Sequence, residues 1–548
     1  MEQFKVWNRI VGWTVFAVAA ISYLLTMEPT TSLWDCSEFI ATSYKLEVGH
    51  PPGAPLFMML ARLASLFAPA AEYVPMTINA MNAIASAFCI LFLFWTITHL
   101  ARRMFTQGGE KMTPHLTILT LGAGVIGALS YAYTDTFWFS AIEGEVYALS
   151  SMFTALVVWL MLRWEENASS PTSMRWIVLI AYLMGLSIGV HILNLLTIPA
   201  LVMIYFFRRY TMQSVKEYIL YIGVGLLVSL LILGAINGII IPYTVALGAK
   251  FDTFAVNTLG MPVNSGMLLF VALVFGILGV LILFSHKRRM RGFNVALMAL
   301  TAILVGFSSY ASVTIRAAAN PPMNSNNPST PHTLLSLLNR DQYGQRPLLW
   351  GPYYSAQPLS TIHVSEDYMA DDYYIPTGDY EYSSMMWLNP ETGKYEEREI
   401  FDGYLYPAEA NHLLPRMWFY SRRADYEAGW VATSGGKPSV ERISKDGDRW
   451  WEPTAWEDIR FMLGYQFGDM FWRYFMWNFV GRQDDTILEK DENAVYMHGG
   501  WLSGIKPIDQ IFCGPQGNLP SEMANNPARN RYFFLPFVLG LLGLIYQR

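Results

Sequence analysis

Two carboxylates and a His-Pro-Pro-Gly run follow the first hydrophobic segment, and their residue types suit proton transfer. Asp35 and Glu38 are three residues apart, so they would share one face of a helix, and His50 follows Glu38 by twelve residues. One carboxylate could accept a proton from an attacking hydroxyl. The other could orient the acceptor or change its partner's pKa by like-charge proximity. The alternative is a solvated loop with ordinary charges.

Further ionisable residues stand at the outer end of another predicted span, on the same side of the membrane as the first loop. Glu143, Glu145 and Tyr147 flank the start of that span. Glu143 and Glu145 are two residues apart, so they point in different directions on a helix, and an ionisable group near lipid usually faces a cavity or a partner. We predict that these residues line a cavity or the acceptor site. The alternative is solvation among lipid headgroups.

Three more polar residues at this level could bind a sugar phosphate. His191 and Asn194 lie near the outer end of one predicted span and could donate hydrogen bonds to a phosphate or a sugar hydroxyl, although an interhelical hydrogen-bonded pair is the commoner role. Arg316 directly follows a later span, and its planar guanidinium suits a phosphate or pyrophosphate. The alternative for Arg316 is an anchor at the interface. A polar run at 339–343 could line an acceptor groove.

The composition indicates which elements must position these residues. The 548 residues are 53% hydrophobic and only 15% charged, whereas a soluble domain carries about 25% charged residues. The formal net charge of −6 offers no basic face for nucleic acid. The three cysteines form neither a disulfide framework nor a zinc spacing, and the chain has no ATP-binding or dinucleotide-binding motif. We therefore expect an all-α polytopic membrane protein without a cofactor.

Hydropathy divides the chain into membrane spans, since about twenty apolar residues cross the hydrocarbon core as a helix. We predict ten spans, at residues 9–27, 80–101, 114–132, 145–163, 175–193, 194–208, 218–241, 266–285, 294–313 and 531–546. The basic clusters all fall on one side of this arrangement, which predicts a cytoplasmic N-terminus. The other side then receives the loop 28–79, the turn 133–144, the loop 242–265 and the segment 314–530.

These spans imply three parts. Residues 1–313 form a transmembrane module whose first external loop, 28–79, carries the catalytic groups; residues 314–530 form an extracytoplasmic mixed domain; residues 531–548 form the final span. Inside the outer domain, the aromatic stretch 461–479 is either an interfacial helix or a core helix of that domain. The short last apolar run leaves open whether the natural chain extends beyond residue 548.

Three runs of sequence together resemble a bacterial family of formerly unknown function, within the GT-C superfamily of integral-membrane glycosyltransferases. That family has an animal relative acting as an endoplasmic-reticulum protein O-mannosyltransferase. The resemblance covers about residues 1–350, and its runs are Trp34-Asp35-Cys36-Ser37-Glu38-Phe39 with His50-Pro51-Pro52-Gly53, Phe137-Trp138-Phe139-Ser140 with Glu145-Val146-Tyr147, and Gly189-Val190-His191-Ile192-Leu193-Asn194. Protein O-mannosyltransferases place their two acids side by side, whereas Cys36 and Ser37 separate them here. This departure leaves open which carboxylate is the base.

The resemblance implies a GT-C-like fold, a polyprenyl-phosphate sugar donor and an inverting transfer to a hydroxyl. Asp35 would then be the general base and Glu38 the second acidic residue, while His50 and Arg316 would contact the donor phosphate. We expect no metal, although Asp35, Glu38 and Glu145 could ligate a divalent cation. The expected partners are the lipid-linked donor, an extracytoplasmic protein acceptor and membrane lipids. The expected location is the bacterial cytoplasmic (inner) membrane, with the active site on the periplasmic side.

The leading hypothesis is therefore a glycosyltransferase that moves a sugar, with mannose favoured, to Ser/Thr hydroxyls of extracytoplasmic proteins. One alternative keeps the lipid-linked donor but uses a glycan or lipid acceptor. Others are a transporter or flippase of a polar lipid, and a non-catalytic scaffold. Transporters often have repeated halves and broken helices near the bilayer midplane. This chain has no internal repeat, and its polar residues gather at the outer surface, which favours the enzyme.

Overall fold

A computed structural model describes most of the chain. The described residues are 2–106, 109–343, 349–353, 356, 361–364, 373–376, 380–406, 408–413, 430, 438–443, 449–484, 499–517 and 519–546. The chain divides into two compact units: residues 1–342 together with 385–398, and residues 343–384 together with 399–548.

Long apolar helices make up most of the first unit. Eight helical stretches are long and apolar enough to cross a membrane by length and composition: Glu2–Thr26, Ala71–Phe105, Pro114–Ala132, Val146–Glu166, Ile192–Arg209, Val215–Asn257, Ser265–Lys287 and Arg291–Ala318. Three shorter helices are also apolar: Pro55–Ser65, Met174–Ile188 and Leu535–Tyr546. These helices, with small sheets in the C-terminal part, confirm the prediction of a polytopic helical membrane protein that carries a mixed domain.

Each of the ten predicted spans falls on one of these helices, but not always with the predicted bounds. The spans predicted at 175–193 and 531–546 correspond to the shorter helices Met174–Ile188 and Leu535–Tyr546. The loop predicted over 242–265 was wrong in its first part, because the chain stays helical to Asn257. Pro242 is tolerated at the start of Ile241–Asn257, because a π-helical turn, Ile236–Ile240, directly precedes it.

Small side chains let the helices of the first unit approach closely. Ala19, Ala83 and Ala128, from the first three spanning helices, are fully buried in one cluster. Where the helix of Gly185 meets that of Ile303, a Cβ added at Gly185 would lie 2.3 Å from the Ile303 carbonyl oxygen. Helices in a bilayer associate through this kind of packing, because lipid is as apolar as their side chains.

Short helices fill the connections of the first unit. The segment between the first two spans holds Cys36–Lys45, Pro55–Ser65 and the 3₁₀ turn Ala71–Tyr73, and the next outer connection holds Asp135–Ala141. The 3₁₀ turn Ile192–Thr197 opens the helix Ile198–Arg209. After Arg291–Phe307 come Ser308–Tyr310, Ala311–Ala318, Pro331–Asn339 and Asp341–Tyr343.

A later segment, residues 385–398, also belongs to the first unit and is held there by Tyr395. The Tyr395 hydroxyl donates to Asp252 Oδ2 at 2.7 Å. Its backbone N–H donates to Asn257 Oδ1 at 2.8 Å, and its carbonyl accepts from Asn257 Nδ2 at 2.7 Å. Because Asp252 and Asn257 lie on the last turns of Ile241–Asn257, the segment is fixed to the C-terminal end of that helix.

Strands appear only after residue 349 among the described residues, and they pair into four two-stranded sheets. Trp350–Pro352 pairs with Asn411–Leu413, Thr361–Val364 with Tyr373–Pro376, Tyr380–Leu388 with Tyr395–Tyr404, and Val440–Ile443 with Arg449–Glu452. Three of these pairs are antiparallel, with registers that begin at Trp350–Leu413, Thr361–Pro376 and Val440–Glu452.

The second unit continues with helices. A 3₁₀ turn, Ala408–Ala410, precedes a continuous helical stretch of Ala455–Phe461, the π-helical Met462–Trp472 and Arg473–Phe479. The helices Lys506–Cys513, Ser521–Ala524 and Leu535–Tyr546 follow it.

Candidate active site

The first external segment places its two carboxylates at the start of a short helix. Asp35 immediately precedes the helix Cys36–Lys45, and its carbonyl oxygen accepts the Phe39 backbone N–H at 2.9 Å. Glu38 lies in the first turn, where the positive end of the helix dipole favours an acidic side chain. The Asp35 side chain is 58% exposed and that of Glu38 23%. Asp35 is therefore the more open of the two acids to an incoming substrate.

His50 is held against Glu38 by both its backbone and its ring. Its backbone N–H donates to Glu38 Oε1 at 2.7 Å. Its Nδ1 lies 3.0 Å from the same oxygen, a hydrogen-bond distance when Nδ1 carries the proton. The preceding residue must be small, because a Cβ at Gly49 would lie 2.9 Å from Glu38 Oε1. Gly49 and His50 together therefore fix one carboxylate oxygen of Glu38.

The other ring nitrogen of His50 is directed to Asp35, so the ring connects the two acids. His50 Nε2 lies 3.9 Å from Asp35 Oδ2, which is too long for a hydrogen bond but within reach of an ion pair when the ring is protonated. Among the described residues, Asp35, Glu38 and His50 form a group that could hold a metal ion, with ligand atoms all within 4.8 Å of one another. Calcium and magnesium prefer about six oxygen ligands, of which these side chains supply only a part. The expectation of a metal-free site stays a prediction.

The turn that carries Glu143 and Glu145 is fixed to the first external segment. Ser32 Oγ donates to Glu143 Oε2 at 2.8 Å. Asn82 Nδ2, from the second spanning helix, donates to the backbone carbonyls of Glu143 at 2.6 Å and Glu145 at 2.7 Å. These bonds bring the second sequence motif against the first.

Both glutamates of this turn are buried, with 6% of Glu143 and 8% of Glu145 exposed. Burial, together with the nearby negative charges of Asp35, Glu143 and Glu38, raises the pKa of Glu145 to about 7. Burial also raises the pKa of Glu143, although its hydrogen bond from Ser32 opposes the rise. Glu145 therefore exchanges a proton near neutral pH, close to the acidic loop.

The third motif is bonded to the first through the main chain. The Leu56 backbone N–H, just after the His-Pro-Pro-Gly run, donates to the Gly189 carbonyl at 2.7 Å. A Cβ at Gly189 would lie 2.4 Å from Ser309 Oγ, so only glycine fits here without a shift. The three motifs that are distant in sequence therefore meet in one region of the first unit.

His191 lies at this junction, between the helices Met174–Ile188 and Ile198–Arg209. Its Nδ1 accepts the Leu193 backbone N–H at 3.2 Å, and its ring centroid lies 5.4 Å from that of Tyr147. Burial lowers the pKa of His191, and the positive charge of Arg340 lowers it further. Tyr147, His191 and Arg340 thus bring a phenol, an imidazole and a guanidinium close to one another.

Two of the sequence-predicted donor residues make internal contacts instead. Arg316 donates from Nε to the Leu46 carbonyl at 2.6 Å and from Nη2 to the Lys45 carbonyl at 3.3 Å, at the end of the helix Cys36–Lys45. Asn194 is fully buried, and its Nδ2 donates to Ser187 Oγ at 2.9 Å. These contacts match the interhelical alternative for Asn194 and give Arg316 a positioning role; their donor roles stay predictions.

Sequence reasoning did not assign site roles to Gly49, Ser32 or Asn82, and it included Arg340 only in a polar run that could line an acceptor groove. Gly49 directly precedes the His-Pro-Pro-Gly run, so its position beside a motif was the available signal. Arg340 follows the helix Pro331–Asn339 in a left-handed conformation, with φ of 61°. It was noticed only as part of a polar run, because nothing in the local sequence connects it to His191.

The fold and the site define a class: an integral membrane protein of many helices with an acidic cluster, completed by a histidine, in the segment between its first two spans. Comparison with known proteins is consistent with that description. Residues 35–214 match the family model described as "Protein O-mannosyl-transferase TMEM260 N-terminal domain". Residues 344–463 match a family of unknown function, DUF8416. No solved structure matches the chain significantly.

Two curated relatives carry the same name as the first family. Protein O-mannosyl-transferase tmem260 of Dictyostelium discoideum is 26% identical over 196 residues, which cover 34% of this chain and 22% of that relative. Protein O-mannosyl-transferase TMEM260 of Mus musculus is 27% identical over 174 residues, covering 32% of this chain and 22% of the relative. The chain thus spans about a fifth of each relative's length.

These matches confirm the O-mannosyltransferase-like relationship that the three motifs predicted. The matched region, residues 35–214, contains every predicted site residue except Arg316. The Leu56–Gly189 bond and the bonds from Asn82 lie within this region, whereas Ser32 lies just before it.

Proposed function

We propose that this chain is a GT-C-type membrane glycosyltransferase that moves mannose from a polyprenyl-phosphate donor to Ser/Thr hydroxyls of extracytoplasmic proteins, with inversion. The observation that carries the proposal is the Asp35–Glu38–His50 cluster, which lies inside the region matching an O-mannosyl-transferase domain. A lipid-linked donor diffuses within the bilayer with its phosphate at the surface. The reacting groups must therefore stand near the ends of spanning helices, and this position is supported by the cluster's place in the segment between Glu2–Thr26 and Ala71–Phe105.

Asp35 is the general base in this proposal. Its carboxylate is the more exposed of the pair and lies outside hydrogen-bond distance of His50, so it can accept the proton of an acceptor hydroxyl. Glu38 is a positioning residue, because its Oε1 is occupied by the backbone and faces the ring of His50. The attacking oxygen then displaces the phosphate from the anomeric carbon, and the configuration at that carbon inverts.

Glu145 supplies a second proton-exchanging group beside the base. With a pKa of about 7 it is partly protonated at neutral pH, and its own ionisation depends on the charges of Asp35 and Glu38. A proton taken by Asp35 weakens the repulsion on Glu145, so the protonation of the two groups is coupled. We assign Glu145 to setting the charge state of the cluster rather than to direct contact with the acceptor.

The departing phosphate needs positive charge or hydrogen-bond donors. We assign the binding of this phosphate to Arg340 and His191. The positive charge of Arg340 lowers the pKa of His191, and the Tyr147 ring packs beside the His191 ring. Arg316 is less suited, because it donates to two backbone carbonyls. A guanidinium binds phosphate oxygens in bidentate fashion.

The test is sugar transfer by the purified full chain in lipid nanodiscs. Polyprenyl-phosphate mannose and GDP-mannose, each radiolabelled, are offered separately with a Ser/Thr-rich acceptor protein. We expect label on the acceptor only from the lipid-linked donor, and its release by β-elimination. Transfer to glycan or lipid but not to protein would contradict the acceptor assignment. No transfer from any polyprenyl-phosphate sugar, together with movement of a polar lipid across the bilayer, would overturn the enzyme class.

A further inference from the structure

The helical stretch that ends in Met462–Trp472 and Arg473–Phe479 carries a ladder of phenylalanines. Phe467, Phe471, Phe475 and Phe479 follow one another at intervals of four residues. Four residues are slightly less than one turn of a π-helix and slightly more than one turn of an α-helix. The first half of the stretch is π-helical and the second half α-helical. Successive phenylalanines therefore rotate about the helix axis in one direction in the first half and in the opposite direction in the second. As a result, all four stay on one side of the helix.

This side of the helix is exposed within the second unit. Phe467 is 56% exposed and Phe471 60%, and the Phe475 ring packs against those of Phe471 and Phe479 with centroid distances of 6.3 Å and 4.5 Å. A core helix of the domain would bury this ladder, so the core alternative does not describe it. Large contiguous apolar surfaces of this kind mark an interaction site.

The opposite side of the same helix provides the contacts with the rest of the second unit. Trp477 is buried, and its Nε1 donates to the Gly500 carbonyl at 3.0 Å. Arg473 donates to the Gly499 carbonyl at 2.9 Å, and its guanidinium lies 4.8 Å from the Trp477 ring centroid. The positive charge nearest the ladder is therefore turned to the inside of the unit, which leaves the ladder itself apolar.

The ladder is continuous with a second apolar element, the helix Leu535–Tyr546. This helix has the sequence LPFVLGLLGLIY and no buried side chain. A helix that is apolar all round belongs inside a large protein or in a membrane, and its exposure within the second unit favours the membrane. The Phe475 ring meets Phe537 of this helix edge to face, with a centroid distance of 6.1 Å. The two elements thus form one apolar surface.

From this continuity we infer that the phenylalanine ladder of residues 467–479 lies in the lipid bilayer at the boundary of headgroups and acyl chains, beside the helix Leu535–Tyr546. Trp472 and Tyr474 on the same helix are half exposed, and such aromatic residues with a polar tip favour that boundary. The occupant of the surface is therefore lipid, and the second unit contacts the membrane through more than its last helix.

Spin labels on the full chain in liposomes test this placement. Cysteine is introduced by Phe467→Cys in one variant and Phe471→Cys in another, with the exposed Glu522→Cys as the matched control in the same unit. The three native cysteines are buried. Any spin label that they take up is measured on the parent chain. Collision rates of each label with oxygen, which concentrates in lipid, and with a water-soluble nickel complex are then compared.

We expect the two ladder labels to collide more with oxygen than with the nickel complex, and the Glu522→Cys label to show the reverse. Nickel accessibility at both ladder positions equal to that of the control would overturn the inference and leave the ladder open to a soluble partner. Low accessibility to both reagents would indicate burial in protein. Spin–spin broadening that rises with the protein-to-lipid ratio would indicate a second copy of the chain. Either result would contradict lipid as the occupant.

Discussion

Substitution of Gly49 by alanine tests whether the fixed geometry of Glu38 matters to the reaction. The new Cβ would stand 2.9 Å from Glu38 Oε1, closer than such contacts allow. The nearest atom is the end of a flexible side chain, so the carboxylate can turn away while the fold remains. That movement removes the hydrogen bond of 2.7 Å from the His50 backbone N–H and separates the carboxylate from Nδ1.

The expected loss follows from the bond that is broken. A hydrogen bond to a charged group contributes about 1.5–3 kcal/mol, and each 1.4 kcal/mol changes a rate about tenfold. Gly49→Ala should therefore lower kcat/KM for mannose transfer about ten- to a hundredfold. The matched control is Gly279→Ala, because an added Cβ there meets nothing within 4 Å.

The assay measures mannose transfer to the acceptor protein and thermal unfolding for both variants and the parent chain. We expect Gly279→Ala to match the parent in both measurements. Gly49→Ala should unfold near the parent's temperature and lose activity. Parental activity in a folded Gly49→Ala protein would refute the role of the Glu38–His50 contact, and loss of folding would shift the test to Glu38→Gln.

Three further predictions follow from the same contacts. Because the pKa of Glu145 is raised from 4.5 to about 7, the folded protein holds a proton that the unfolded chain releases, and stability falls as pH rises through that window. Glu145→Gln should abolish this fall, which is a relative gain in the free energy of unfolding of about 3 kcal/mol at 1.36 kcal/mol per pKa unit. The unfolding temperature of the variant should therefore change less between pH 4.5 and 8 than that of the parent chain. An unchanged pH profile would contradict the shift. Arg316→Gln should lower the unfolding temperature and leave the donor KM unchanged, whereas a raised donor KM at parental stability would restore its phosphate role. Arg340→Gln should raise the donor KM several-fold, and an unchanged donor KM would remove Arg340 from the phosphate site.

Hydropathy and motif spacing could predict most of the membrane architecture and the identity of the acidic cluster. The apolar length of a span is a local property, so it can be read without knowing which helices touch. Asp35, Glu38 and His50 lie within sixteen residues, and their proximity follows from a helix start and a short return of the chain. The structure brings these three groups together, with Asp35 just before the helix rather than on it.

Contacts between distant segments could not be predicted in this way. Arg316 reaches the Leu46 carbonyl across 270 residues, and no local pattern at either position indicates that bond. The helix continues through Pro242 to Asn257, past the predicted end of the span, with a π-helical turn directly before the proline. The pKa of Glu145 likewise depends on burial and on charges from another segment.

The measurement that tests the central claim most directly compares mannose transfer by the parent chain with transfer by Asp35→Asn. The substitution keeps the size of the side chain and removes its ability to take a proton. We predict transfer from polyprenyl-phosphate mannose to Ser/Thr by the parent chain, and a loss of at least about a hundredfold in the variant, in line with the usual contribution of a general base. Equal transfer by a folded Asp35→Asn protein would contradict the account and move the base to Glu38 or Glu145.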